Sequence, residues 1–210
     1  MSESCFPVWA GKKFTLLHSG FHLDPYMRIA YLTAMIRPIL IHPDPRLRKT
    51  CAPVPKVDDD VRALMTDMLQ TMYDAPGIGL AAPQLGVMSR IIVIDCAKGE
   101  DEAADPICLA NPETTWSSEE LREHEEGCLS IPDIYAMVTR PDTVRVRFLN
   151  RDGAEEEREF EGMRSTCVQH EIDHLNGKLF IDYLSPMRRQ MITSKMKKLK
   201  RELARLRATG

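Results

Sequence analysis

The clearest periodicity in the chain lies between residues 58 and 75. Val61, Leu64, Met65, Met68, Leu69, Met72 and Tyr73 recur at the three-and-four spacing of a single helix face. Asp58, Asp59 and Asp60 supply a cap and an acidic first turn, and Pro76-Gly77 supplies a stop. Strand patterns follow in "RIIVID" (90–95), "PICLAN" (106–111) and "TVRVRFL" (143–149). The last alternates strictly and runs through Asn150-Arg151-Asp152-Gly153 into "EEEREFEG", which predicts a hairpin. A second helix is predicted from Met163 to Asn176, with Gly177 as a left-handed stop. A third begins after Ser185-Pro186, a capping residue followed by proline at the first helical position. With no internal repeat and no low-complexity segment, the pattern predicts one α+β domain.

That domain is expected to span residues 35–210. Residues 1–34 have mixed polarity and no period, and read as an N-terminal extension that is either poorly ordered or the result of an upstream start. No apolar run is long enough to span a bilayer, which predicts no membrane partner. The six cysteines, at 5, 51, 96, 108, 128 and 167, lack the dense spacing of a disulfide scaffold and follow no signal peptide. A reducing cytoplasm fits them. Free thiols are expected, with Cys5, Cys51, Cys96 and Cys108 acting as small buried apolar residues. A formal charge of −3 argues against DNA as the main partner. That mean conceals nine Lys/Arg against one acid, Glu202, from Ser185 onward.

The chemistry concentrates in "CVQHEIDHLNG" (167–177). His170 and His174, four apart, share one helix face and can point at one ion. Glu171 stands about 100° round from His170, placed to reach a water without being a ligand itself. Two hydrogen-bonded histidines on a buried face remain the alternative from spacing alone. The third ligand decides which hydrolase this resembles. Metzincins place a third histidine where this chain has Phe180, which excludes them; thermolysin-like enzymes use a downstream glutamate, for which Glu202 in the basic segment is a poor fit. Upstream, "HEEGCLSIPD" (124–133) offers Cys128, and two imidazoles plus a thiolate leave a fourth position open, as catalytic sites do. "GIGLAAPQLG" (77–86) adds glycines that let a ligand approach the backbone, and Gln84, a neutral donor for an oxyanion.

In order, Gly77-Ile78-Gly79-Leu80-Ala81-Ala82-Pro83-Gln84, Glu126-Gly127-Cys128-Leu129-Ser130 and His170-Glu171-Ile172-Asp173-His174 resemble the three motifs of the peptide deformylases. The resemblance runs from about Met35 to the final helix. It implies small mixed or antiparallel sheets packed around the central His-Glu-x-x-His helix, with a C-terminal helix beyond. It implies a metallohydrolase that removes the formyl group of N-terminal formylmethionine from nascent polypeptides and releases formate. Cys128, His170 and His174 would hold the metal, Glu171 would be general base and acid, and Gln84 with the Leu129 N–H would stabilise the oxyanion. Gly79 would hold the peptide extended, with Ile78 and Cys167 lining the methionine pocket. The ion implied is Fe2+, with Zn2+, Ni2+ or Co2+ able to replace it. The partners implied are N-formylmethionyl peptides and, through the basic C-terminal helix, the ribosome surface. A metallo-endopeptidase and a non-catalytic metal-binding relative are the competing readings.

Overall fold

The computed structural model describes residues 35–97 and 104–209. The reading of residues 1–34 as an extension lies outside these. Helix α1, Asp59–Asp74, starts where the Asp58 side chain accepts from the Val61 N–H, as the three aspartates predict. Its stripe is buried: Met65, Met68, Leu69 and Met72 are shielded from solvent, with Val61, Leu64 and Tyr73 half-buried beside them.

That stripe packs on one face of a five-stranded sheet. Strands β1 (Gly79–Ala81), β2 (Ile91–Ile94), β3 (Ile107–Ser117), β6 (Thr143–Leu149) and β7 (Glu155–Glu161) pair in that order, each pairing antiparallel. Helix α2, Gly162–Leu175, covers the opposite face. The two-residue period of a strand explains why the apolar runs lack alternation. In β2, Ile91 and Val93 meet α1, while Ile92 and Ile94 meet Val168 and Leu175 of α2. Strands covered on both sides read as continuous apolar runs. The β6–β7 hairpin is the exception. It buries Val144, Val146, Phe148 and Phe160 inward and pairs Arg145 with Glu159 outward at 2.8 Å.

Three features extend the pattern read from the chain. Strand β3 runs six residues past Asn111, into polar sequence that carries no strand period. A second sheet, β4 (Leu121–Cys128) paired with β5 (Ile131–Pro141), occupies a stretch in which only turn residues around Cys128 were legible. Helix α3, Pro186–Thr209, lies against this second sheet. Ile192 and Met196 enter a cluster with Ile131, Ala136, Val138 and Phe180. At the end of α2, Gly177 takes φ 71°, and a Cβ there would sit 2.6 Å from the Arg48 carbonyl oxygen, so the predicted stop is also a close backbone crossing. No helix among the described residues is long and apolar enough to cross a membrane.

One buried histidine couples this packing to pH. His42 is 4% exposed; its Nε2 lies 3.0 Å from Thr193 Oγ1 of α3, and its Nδ1 has no partner. Burial first, then Arg48, Lys200 and Lys197, lower its pKa from an ordinary 6.5 to about 4 against the opposing pull of Asp182. Between those values the unfolded chain binds a proton that the folded chain refuses, so stability falls as pH drops from 6.5 to about 4, by at most about 3 kcal/mol. Urea unfolding of the parent and His42→Gln at pH 7 and 4.5 is expected to give a steeper loss for the parent. An identical loss in both proteins would sink the assignment.

Candidate metal centre

Helix α2 presents His170, Glu171 and His174 to its buried side. His174 is shielded completely, and His170 and Glu171 almost so. The rings of His170 and His174 lie edge to face with centroids 5.1 Å apart. The third donor comes from the second sheet. Cys128 ends β4, where the pairing register slips between Gly127 and Cys128, and its Sγ lies 3.3 Å from His174 Nε2. One donor atom from each of Cys128, His170 and His174 falls within 4.8 Å of the others. These are the three ligands read from the chain, brought together from two elements 42 positions apart.

The donor set fits a soft-to-borderline divalent ion, because two imidazoles and a thiol offer the ligands such ions favour. The surroundings fit it too. His170 Nδ1 is held at 2.8 Å by Glu126, which turns Nε2 towards Cys128. Burial opposes a charge on His170, yet its hydrogen bonds to Cys128 and Glu126 raise its pKa well above the ordinary value. His174 is pushed well below its ordinary value by burial and by His170 beside it. Burial thus keeps His174 neutral, the form that ligates a metal. Phe180, where a metzincin would have its third histidine, stacks on His170 with centroids 6.1 Å apart, packing behind the ring instead of ligating.

Glu171 stands beside the cluster with Oε2 unpartnered. Burial pushes its carboxyl up to about 7, with His170 pulling it down and Glu126 adding to the rise. Gln84 follows β1 in a tight 3-10 turn, Ala82–Leu85. Its Oε1 accepts from the Ala81 N–H at 2.8 Å, which fixes the amide so that Nε2 points at Cys128 Sγ (3.6 Å) and Ser130 Oγ (3.2 Å). Leu129 follows Cys128, and its side chain covers Gly77, where a Cβ would lie 2.8 Å from Leu129 Cδ1.

Gly79 is pressed against the same centre. A Cβ there would sit 2.5 Å from Glu171 Oε1 and 2.8 Å from Cys167 Sγ, so no other residue fits without displacing one of them. Cys167 is buried with its thiol 3.4 Å from the Ile78 carbonyl, while the Ile78 side chain is exposed beside the site. All nine residues read as site residues thus converge on one region.

Four more polar residues complete it and received no role from the sequence. Arg140 of β5 donates two hydrogen bonds to Glu126, one of them at 3.0 Å, and one at 2.8 Å to Asp173 of α2. Tyr183 donates to Asp173 at 2.8 Å and lies under the Arg140 guanidinium. Burial alone would raise the Glu126 pKa; the bonds from His170 and Arg140 outweigh it and hold the carboxylate below its usual range. Glu126 was legible as a carboxylate two positions before a candidate ligand. Arg140, Tyr183 and the part played by Asp173 left no such signal, since each depends on contacts across the fold.

Known proteins share this arrangement. The family described as Polypeptide deformylase matches residues 36–190. A peptide deformylase of Methylocella silvestris is 59% identical over 165 residues, covering 78% of this chain and 84% of the relative. The crystal structure of a peptide deformylase from Legionella pneumophila superposes with TM-score 0.74 at 48% identity, over 81% of this chain and 99% of that one. The Met-Ala-Ser-bound crystal structure of a class I type b peptide deformylase from Acinetobacter baumannii gives TM-score 0.68 at 32% identity, over 72% and 99%. With sequence, fold and the meeting of Cys128 with the α2 histidines all in agreement, this chain belongs to the polypeptide deformylase family.

Proposed function

We propose that this protein hydrolyses the amide that joins a formyl group to the N-terminal methionine of new polypeptides, releasing formate. The observation that carries this reading is the Cys128–His170–His174 cluster with the Glu171 carboxyl beside it, buried and with one oxygen unpartnered. The Met-Ala-Ser bound by the Acinetobacter relative supports an N-terminal methionyl peptide as the molecule handled here. Residues 35–210 act as one catalytic domain, and the cytoplasm, where nascent chains are made, is its place of work.

Cys128, His170 and His174 would hold one divalent ion, Fe2+ in the cell, with Zn2+, Ni2+ and Co2+ acceptable to the same donors. When bound, such an ion supplies Lewis acidity: it polarises a carbonyl oxygen and lowers the pKa of a water to about 7. Glu126 keeps His170 in the tautomer whose Nε2 is free to ligate. Glu171 takes a proton from the attacking water at Oε2 and returns it to the departing methionine nitrogen; a carboxyl raised towards neutrality by burial suits both transfers. Gln84 Nε2, fixed by its bond to Ala81, and the backbone N–H of Leu129 donate to the oxygen on which negative charge develops. The peptide lies extended along β1, an edge strand with backbone groups available for pairing. Gly79 lets it approach Glu171, and Ile78 and Cys167 contact the methionine side chain.

The basic helix α3 serves a second purpose in this reading, contact with the RNA-rich ribosome surface. Lys195, Lys198 and Arg201 are exposed on it, while Ile192 and Met196 anchor it to the second sheet. Removing the helix would therefore strip the core, whereas reversing exposed charges would not.

Four outcomes are expected. Metal-loaded parent releases formate from formyl-Met-Ala-Ser and Glu171→Gln does not, although metal analysis finds one ion per chain in both; robust release by the variant would refute the role of Glu171. Neither protein should cleave unformylated peptides internally, which an endopeptidase would do. Gln84→Ala is expected to lower kcat by about 10²–10³-fold with a smaller change in KM, as loss of one oxyanion donor does; an unchanged kcat removes Gln84 from the mechanism. Combined Lys195→Glu, Lys198→Glu and Arg201→Glu should weaken co-sedimentation with ribosomes and leave activity on the short peptide intact. Equal co-sedimentation would discard the docking role.

A further inference from the structure

Ser130 is completely buried, and no step of the proposed hydrolysis uses its hydroxyl. It stands between the two groups read as oxyanion donors, which come from distant segments. The Leu129 N–H belongs to the two-residue turn joining β4 to β5, where Cys128 pairs with Ile131. The Gln84 amide belongs to the 3-10 turn after β1. One oxygen can accept from both donors only if the two turns keep a fixed spacing.

Three contacts set that spacing. Leu40 donates its backbone N–H to the Gln84 carbonyl at 2.7 Å, and His42 donates to the Ser130 carbonyl at 2.9 Å. Two residues apart, these donors make a short strap that holds the main chains of both turns. The Ser130 hydroxyl closes the gap between the side chains, 3.2 Å from Gln84 Nε2. A primary amide carries two N–H bonds, and because Gln84 is buried both need a partner within the protein. The Ala81 N–H holds Oε1 at 2.8 Å and so decides which end of the amide faces Ser130. Ser130 Oγ takes one N–H. The other is left to Cys128 Sγ, 3.6 Å away and a weak acceptor. An oxygen gaining negative charge beside Cys128 is a far better acceptor for it, and the amide need not turn to meet that oxygen.

We propose that Ser130 is a positioning residue for the oxyanion: its hydroxyl holds one N–H of Gln84 so that the other is aimed at the oxygen on which charge develops. Without the hydroxyl, the amide keeps its bond to Ala81 but gains freedom to twist about its terminal torsion. Its remaining N–H is then less often in line with the oxyanion. The effect on turnover rests on the proposed function; the contact between Ser130 and Gln84 does not.

The full chain loaded with zinc serves every arm of the experiment, with metal analysis expected to find one ion per chain in each protein. In the parent, NMR should show a nuclear Overhauser effect from one Gln84 side-chain amide proton to the Ser130 β protons. Ser130→Ala should shift the resonance of that amide proton. The same variant should lower kcat for formyl-Met-Ala-Ser by about three- to tenfold, as loss of one neutral hydrogen bond does, with KM nearly unchanged. In a Gln84→Ala background, Ser130→Ala should lower kcat no further, since Ser130 acts through the amide alone. An equal fold-loss in both backgrounds would overturn the proposal, as would a rise in KM at unchanged kcat. Absence of the Overhauser effect overturns it too, and the parent spectrum decides this even if a variant is unstable. A parent that releases no formate would overturn the proposed function and the catalytic part of Ser130 with it, while the spectrum would still decide the contact.

Discussion

A single buried carboxylate holds the two halves of this molecule in register. Glu126 on β4 takes Arg140 of β5 on one side and His170 of α2 on the other, and Arg140 continues to Asp173 on the same helix. Arg140 and Glu126 are 3% and 4% exposed, so neither charge is tolerable alone. Losing either partner would leave a bare charge in the interior. Together they form a clamp that ties the second sheet to α2 and fixes one imidazole. The position of Cys128 relative to the histidines follows, because Cys128 is two residues further along the strand that Glu126 anchors.

The five-stranded sheet supplies the opposing wall. Because α1 and α2 cover both of its faces, only its edge strands can offer backbone to a ligand, and of these β1 carries Gly79 at the closest approach to Glu171. The 3-10 turn that follows β1 returns Gln84 to Cys128, so in the proposed reaction two short segments adjacent in sequence would serve both substrate placement and charge stabilisation. Rigidity here comes from packing. Gly77 is filled by Leu129, Gly79 by Glu171 and Cys167, and Gln84 is locked by the Ala81 N–H. A site assembled this way is preorganised, and the proposed oxyanion donors would need no rearrangement to act.

Local signals reported local structure faithfully. The stripe from Val61 to Tyr73, the three aspartates before it, the turn after Leu149 and the stop at Gly177 each state a short-range preference, and each became the predicted element. The β4–β5 sheet was not legible. In β4 the charged run Arg122 to Glu126 masks the alternation, since Glu126 is buried by ionic pairing and not by apolarity.

What the sequence determined by itself was chemistry and family: two histidines one helical turn apart with a glutamate between them, a cysteine in a turn, a glycine-rich segment ending in glutamine. These are short-range facts, carried by side-chain type and spacing, and they need no fold to be read. What only the tertiary structure decided was selection and support. It chose Cys128 from five described thiols to sit 3.3 Å from His174, set Phe180 behind His170, and recruited Arg140 and Tyr183. Each of those outcomes depends on which distant segments meet once apolar faces are buried and buried charges are paired, and that closure is a property of the whole chain rather than of any stretch of it.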